Sequence, residues 1–427
     1  MIDIRLVRES PGEVRAGLAR RTEGADASVD DLLRLDEQRR SLLARVERLR
    51  AERNQASEEV ARLKQQRADA RNLIAHLKGV SESIKEIDRE LRTVEDALSA
   101  GLLRVPNLPR PEIPDGDASA NRVIRTWGEP GALPFGPKPH WELGERLGVI
   151  DLERGAKIAG SGFPMFKGPG ARLVRALINF MTDLHVQEHG YVEIAPPLLV
   201  NPASATGTGQ LPDLHGDMYV TEDGFYLIPT AEVPVTNVHR DEILSADELP
   251  LAYVAYTPCF RREAGAHGKD TRGLIRVHQF DKVELVRFTR PDESQQELEV
   301  LLAHAEEVLR RLELPYRVVL LAAGDLGFAS AKTYDLEVWA PGVGTWLEVS
   351  SASTFTDFQA RRANIRYRPR GGGRPELVHT LNASGVALPR TIIALLENNQ
   401  QEDGSVQMPE ALVPYLGTDC LAPVETG

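Results

Sequence analysis

Five side chains in one stretch could together handle a charged ligand: Arg261, Glu263, Arg276, Phe280 and Glu284. The runs at about 251–262 and 273–288 are rich in Val, Tyr, Phe and Ile, and Gly265, Gly268 and Gly273 punctuate the segment between them. That pattern predicts a long antiparallel hairpin. Side chains on a strand alternate faces, so Thr257, Cys259, Arg261 and Glu263 would share one face of the first strand. Arg276, His278, Phe280, Lys282 and Glu284 would share one face of the second, and both faces are too polar for a core. The opposite face of the second strand carries Val277, Val283 and Leu285, but also Gln279 and Asp281. Such a polar face suits a ligand that is anionic, planar and ammonium-bearing: an arginine can fork onto phosphate, Phe280 can stack on a base and Glu284 can hold a cation. Cross-strand ion pairing on a solvated sheet accounts for the same residues, and pattern alone leaves both readings open.

Three further stretches carry candidate chemistry. In GFYLIPTAEVPV a strand at 224–229 delivers Thr230, Ala231 and Glu232 into a turn. Thr-Ala-Glu before an apolar run is more often a helix N-cap than a ligand site, and both readings can hold, since capping orients a side chain. In TWLEVSS a strand presents Glu348 and Ser350 on one face and ends at Ser351. In LNASGVALPRTIIALLENNQ a turn bearing Ser384 leads to Pro389 near a helix start, with Arg390 at the head of an apolar helix from Thr391 to Leu396. A helix N-terminus beside an arginine favours negative charge. No GxxxxGK[ST] run and no strand followed by GxGxxG occurs, so neither a P-loop nor a dinucleotide-binding turn is expected. Cys259 and Cys420 are too few for a disulfide framework or a thiolate zinc site, and a buried neutral thiol is the expected state of Cys259.

These residues need a body to position them. From about 118 the chain reads as α+β, with short strands, a few helices and glycine-rich turns. Residues 170–189 form an amphipathic helix, and GYVEIAPPLLV after it a strand closed by Pro196 and Pro197. Ahead of this body, no proline interrupts the chain between Pro11 and Pro106, and 30–98 is almost free of glycine. Leu73, Leu77, Val80, Ile84, Ile87, Leu91, Val94 and Leu98 repeat at alternating four and three residues, a heptad seam. Leu35, Arg39, Leu42, Val46, Leu49, Arg53, Ala56, Val60 and Leu63 repeat in the same way, and a polar segment at 64–72 separates the two runs. The spacing predicts an antiparallel helical hairpin of about 30 residues a side, although a heptad more often serves dimerisation. Prolines 106, 109, 111 and 114 then predict an extended linker at 106–117. The domains expected are 1–105, a linker, and 118–427.

The net charge of −12 argues against a general nucleic-acid binder, yet it is unevenly spread. Residues 1–100 hold 20 basic and 20 acidic side chains, so the deficit lies downstream, and 39–71 carries ten cations against five acids. No run approaches the roughly 18 apolar residues of a membrane span, and MIDIRLVRESPGEVR lacks the apolar stretch of a signal peptide. A soluble cytoplasmic protein with no membrane partner is expected.

FRRE, a glycine-rich loop, then LIRVHQFDKVE resembles motif 2 of the class II aminoacyl-tRNA synthetases in the form carried by the seryl-tRNA synthetases. The 170–200 segment resembles motif 1, 381–400 resembles motif 3, the helical hairpin resembles that family's tRNA-gripping N-terminal domain, and PNLP with Trp127-Gly128 its junction. Ala383 and Val386 depart from the family's usual glycine and leucine without removing a polar group. The resemblance implies a bent six- or seven-stranded antiparallel sheet flanked by helices, working as a homodimer. It implies ATP-dependent activation of L-serine with Mg2+, then transfer to tRNA(Ser), with tRNA(Sec) a second candidate.

By the same resemblance Arg261 clamps the α-phosphate, Arg276 and Arg390 the outer phosphates, Phe280 stacks on adenine and Glu263 reads its amino group. Arg262, Val277, Val349 and Ser350 complete the ATP site, and Glu348 and Ser351 hold the metal. Thr230, Ala231, Glu232, Glu284 and Ser384, with Arg261, surround serine, and the loop from Ala264 to Arg272, with His267 and Lys269, meets the tRNA acceptor end. The competing reading is a class II relative without tRNA charging, acting on a carrier protein or as a regulatory binder; the long hairpin and the retained motif charges argue against it.

Overall fold

Leucine, valine and isoleucine at heptad spacing make two helices that bury one another's apolar stripe. The computed structural model describes residues 1–21, 24–131, 133–263 and 272–424. The chain divides into two compact units, Ile2–Pro106 and, with Met1, Asn107–Gly427. In the smaller unit α1 (Ser28–Gln65) and α2 (Arg71–Leu103) form the hairpin. Its seam is Leu42 and Val46 against Val80, Ile84, Ile87 and Leu91, with Leu43, Leu49 and Val94 at the margins. The helices run to 38 and 33 residues, longer than the expected 30.

At the hairpin's base the register differs from expectation. Val29, Leu32 and Asp36 are buried there, whereas Leu35 and Arg39 are only half-buried. The short helices Ile4–Glu9 and Pro11–Ala19 pack on that end and recruit a different stripe of α1. The Asp36 carboxylate is held by Arg8 at 3.2 Å, Arg39 at 3.3 Å and Arg40 at 3.0 Å. Close approach also explains Gly101, where a Cβ would stand 3.0 Å from Leu32 Cδ2. Farther along, Arg45, Arg48, Arg53, Lys64 and Arg67 carry no ion pair among the described residues.

The larger unit is α+β, built on an eight-stranded sheet among the described residues, one or two strands more than expected. In chain order its strands are β1 (Arg122–Trp127), β2 (Val192–Glu193), β3 (Leu251–Phe260), β4 (Gln279–Thr289), β5 (Tyr316–Leu320), β6 (Lys332–Ala340), β7 (Thr345–Thr356) and β8 (His379–Ala387). In space they run β1-β5-β6-β7-β8-β4-β3-β2, all antiparallel except the β2–β3 edge pair. Helices α3 (Pro169–Gln187), α5 (Ser294–Arg311) and α6 (Leu388–Asn398), with the short α4 (Glu232–Thr236), flank it. Leu173, Leu177 and Met181 of α3, Leu298, Leu302 and Leu309 of α5 and Ile392 and Leu396 of α6 close one core with Val283, Leu285 and Leu381 of the sheet. No helix of the described residues is long and apolar enough to cross a membrane.

Two expectations about connections change. The proline-rich segment is not a free linker after Pro106. Asn107, almost fully buried, donates through Nδ2 to the carbonyls of Ala329 at 2.9 Å and Phe355 at 2.8 Å, and Arg110 N–H to Ala331 O at 2.9 Å. The returning limb of the hairpin also joins the ladder only at Gln279. Residues 272–278 are irregular: Gly273 has φ +68° and the His278 N–H turns away to Gly162 O at 2.9 Å. Residues 264–271, with His267 and Lys269, lie outside the described residues.

Candidate active site

The β3–β4 register sets the floor of the site. Cys259 faces Phe280, Thr257 faces Lys282 and Ala255 faces Glu284, while β8 brings Ser384 opposite Glu284. Cys259 and Thr257 are fully buried beneath this face, not on a solvated one, and burial pushes the Cys259 thiol up. Above the floor lies a cleft of about 730 Å³, lined by Arg261, Glu263, Arg276, Val277, Phe280, Lys282, Glu348, Val349, Ser384 and Arg390.

Two cations of the cleft, Arg261 and Arg390, are held by backbone carbonyls. Arg261 lies with its guanidinium carbon 5.1 Å from the centre of the Phe280 ring, and its Nε donates to Pro229 O at 3.3 Å. Arg390 donates from Nε to Ile275 O at 3.1 Å and from Nη1 to Glu348 O at 2.9 Å. Arg276 pairs with Glu263, itself held at φ +49°, so this acid sits against the cation. Arg262 is exposed, and its N–H donates to Asp217 O at 3.0 Å.

Beyond Arg261, Glu263 and Arg276 a second recess opens toward Thr230, Glu232, Gln210 and Met218. Behind Thr230 and Glu232 of its wall lies a buried polar network. Lys282 Nζ donates to Thr230 Oγ1 at 2.8 Å and lies 2.5 Å from Glu284 Oε2. Asn382 Nδ2 donates to Glu284 Oε1 at 2.7 Å and Glu232 Oε2 at 3.3 Å, and Gln359 Nε2 donates to Glu232 Oε1 at 2.6 Å. Thr230 Oγ1 also accepts the Glu232 N–H at 3.2 Å, so this threonine braces the entry to α4 and lines the recess at once; Ala231, at the helix N-cap, is buried. Burial, with Glu284 close by, pushes the Glu232 carboxyl up to about 7. One lysine is paired with Glu284 while Glu232 is held by side-chain amides, and the network suits an ammonium group entering beside them.

The third edge departs from simple alternation. β6 and β7 slip register between Leu336–Ser350 and Glu337–Glu348, leaving Val349 as an extra residue. Such a bulge re-aims side chains. Ser350 is buried, donating to Ser384 O at 2.6 Å, while Ser351 comes beside Glu348, Oγ to Oε1 at 3.2 Å. The expected sharing of a face by Glu348 and Ser350 is thus replaced by Glu348 with Ser351, and the strand runs on to Thr356. Ser351 Oγ also donates to Asp335 Oδ1 at 2.6 Å, and burial with Glu348 nearby raises the Asp335 carboxyl well above its ordinary value. Carboxylate and hydroxyl oxygens at this edge are hard donors that fit a divalent cation such as Mg2+.

Comparison with known proteins bears on this geometry. The family model for the seryl-tRNA synthetase N-terminal domain matches residues 1–109, and that for the tRNA synthetase class II core domain (G, H, P, S and T) matches 219–399. Serine--tRNA ligase of Geobacter sulfurreducens is 55% identical over 98% of this chain and 99% of its own, and that of Gemmatimonas aurantiaca 55% over 99% and 100%. The chain belongs to the seryl-tRNA synthetase family. Among solved structures, the Pyrococcus horikoshii seryl-tRNA synthetase complexed with ATP superposes with a TM-score of 0.95 at 40% identity, covering all of both chains. The Naegleria fowleri cytoplasmic serine-tRNA ligase with AMP gives 0.89 at 28%, covering all of this chain and 99% of its own.

Several residues of the synthetase site have no counterpart in the sequence reading. Lys282 shares its face with Phe280 and Glu284, so alternation lists it, but nothing there marks it as the buried partner of Glu284 and Thr230. Asn382 lies two residues before Ser384 on the same strand, a signal available but unused. Asp335 and Gln359 arrive from other elements, and no local pattern points to them.

Proposed function

We propose that this synthetase activates L-serine with ATP in the cleft and recess and transfers it to tRNA(Ser), with tRNA(Sec) a second acceptor. The observation that carries the reading is the junction at Arg261: a cationic, aromatic cleft on one side and an acid-lined recess on the other share that guanidinium. ATP lies in the cleft with adenine on Phe280, its amino group near Glu263, its outer phosphates toward Arg276 and Arg390, and Arg262, Val277, Val349 and Ser350 around it. Serine lies in the recess, its ammonium toward Glu232 and Glu284 and its hydroxyl among Thr230, Ser384 and the Ala231 turn.

Arg261 orients the serine carboxylate and the α-phosphate in line. A carboxylate needs no general base, so the chain's contribution is positioning and charge stabilisation. The carboxylate oxygen bonds to phosphorus as the bond to pyrophosphate breaks, giving seryl-adenylate; a terminal adenosine hydroxyl of the tRNA then takes the seryl group and releases AMP. Glu348 and Ser351 would hold Mg2+, which would supply charge neutralisation to the phosphates. Alanine leaves the recess's polar groups unpaired, which discriminates by about 10⁴ or more. The cations Arg45, Arg48, Arg53, Lys64 and Arg67 offer the hairpin a backbone-binding face for tRNA. Val192, 58% exposed, with Leu198 and Leu199 forms an apolar edge suited to a homodimer contact. The reading includes a cytoplasmic location, where tRNA(Ser) would meet the enzyme.

Amino-acid-dependent exchange of pyrophosphate into ATP, run over all twenty amino acids without tRNA, tests the reading. Exchange with serine alone is expected; its absence in folded protein refutes adenylation and favours a binding paralogue.

A further inference from the structure

Behind the cleft wall, the buried pair His140 and Glu397 joins the segments that carry Arg276 and Arg390. We propose that His140 is a positioning residue for the nucleotide half-site, tying the helix that carries Arg390 to the limb that carries Arg276 through its two ring nitrogens. The inference rests on the ATP reading above.

His140 and Glu397 are both fully buried. Glu397 stands near the end of α6, two turns beyond Arg390. Its two oxygens receive four N–H donors: His140 N and Nδ1 on Oε1, both at 2.8 Å, and Gly342 N at 2.8 Å and Val343 N at 3.0 Å on Oε2. The other imidazole nitrogen, Nε2, accepts the Leu274 N–H at 3.0 Å. A nitrogen that accepts carries no proton, so the ring is the neutral Nδ1–H tautomer. Leu274 precedes Ile275, whose carbonyl accepts Arg390 Nε at 3.1 Å, and then Arg276. The connections close a ring: Leu274, Ile275, Arg390, along α6 to Glu397, across His140 and back to Leu274.

The surroundings are shaped for this contact. Gly273 has φ +68°, and a Cβ there would stand 2.1 Å from His140 Nε2. Trp141 packs edge-on against His140 at 4.9 Å and lies under the Arg272 guanidinium at 4.4 Å. Before Gln279 the irregular limb 272–278 keeps the cross-strand bond from Arg261 N–H to His278 O at 2.9 Å, while the Leu274 N–H goes to the imidazole, which supplies part of the support there. Arg276 and Arg390 thereby keep one spacing, whereas the serine recess is held by the separate network of Lys282, Asn382 and Gln359.

The test is His140→Asn in the full-length protein, read by serine-dependent pyrophosphate exchange with thermal midpoint as a folding check. Asparagine places an amide N–H where Nδ1–H stands and offers nothing at Nε2, so only the Leu274 tie is lost. The KM for ATP should rise about tenfold or more, since small misplacements of positioning groups cost that much, while the KM for serine stays within about twofold, inside the usual scatter. An unchanged KM for ATP, or both KM values rising together, overturns the proposal in favour of a structural role. If His140→Asn does not fold, Glu397→Gln is read by the same split, and failure of both to fold assigns the ring to stability alone. Wild-type protein with no serine-dependent exchange would instead sink the proposed function, so the two failures are separable.

Discussion

Replacing Glu232 by Gln should change how stability depends on pH. In the folded ligand-free protein burial and Glu284 hold the Glu232 carboxyl at about 7, against an ordinary value of 4.5. Between those pH values the native state keeps a proton that the unfolded chain has lost, so stability falls as pH rises, fully by about 7. A shift of roughly 2.5 units corresponds to about 3 kcal/mol, at 1.36 kcal/mol per unit. Glutamine resembles the protonated acid in shape and stays neutral, so Glu232→Gln removes this slope. For the roughly 320 residues of the larger unit, at about 2.1 cal/mol/K per residue, 3 kcal/mol is about 5 °C in the unfolding midpoint. Thermal midpoints of wild type and Glu232→Gln without ligand at pH 5 and pH 8 measure it directly. The wild-type midpoint should drop by about 5 °C more than the variant's. Parallel lines for the two proteins would mean that Glu232 is already ionised at pH 5, and the burial argument would fail.

The division of labour between units gives three more expectations. Arg261→Ala should lower pyrophosphate exchange by ~10²–10³-fold or more, because this guanidinium serves both half-sites and a single preorganised donor is worth that much; exchange near the wild-type rate removes Arg261 from the centre. Deleting residues 30–98 should leave exchange near the wild-type rate and lower tRNA(Ser) charging about 100-fold or more, comparable to losing several phosphate contacts; equal loss of both activities contradicts the assignment. Ile84→Ala, in the hairpin seam, should destabilise the smaller unit by about 2–4 kcal/mol without touching exchange, as circular dichroism melts and the exchange assay would show together.

How much of this was legible in the sequence depends on where each residue takes its instructions. The hairpin follows from a local repeat: Leu42, Val46, Val80, Ile84, Ile87 and Leu91 pack as their spacing says. At Leu35 the repeat stops being informative, because Val7, Val14 and Leu18 arrive on neighbouring helices and Asp36 turns inward to three arginines. Alternation likewise places Phe280 and Glu284 together on β4, but fails at residues 273–278, where a left-handed glycine and a histidine acceptor replace the ladder.

It fails again at Val349, and the consequence there is chemical. A strand with strict period two would send Ser351 to the opposite side from Glu348; the bulge brings both to one edge, with Asp335 accepting the serine hydroxyl. A bulge is set by the pairing between two strands, here with the hairpin partner β6, so no window of β7 alone encodes this one. The same holds for His140 and Glu397, which are 257 residues apart and meaningless singly. Residue types reveal that a site handles charge, since a lysine or glutamate on an otherwise apolar strand is conspicuous. Which charge meets which, and which of them stay dry, is decided by long-range register and by tertiary partners. That is why the site's ligand-facing residues stand out in the sequence, whereas the residues that aim them come into view only in the fold.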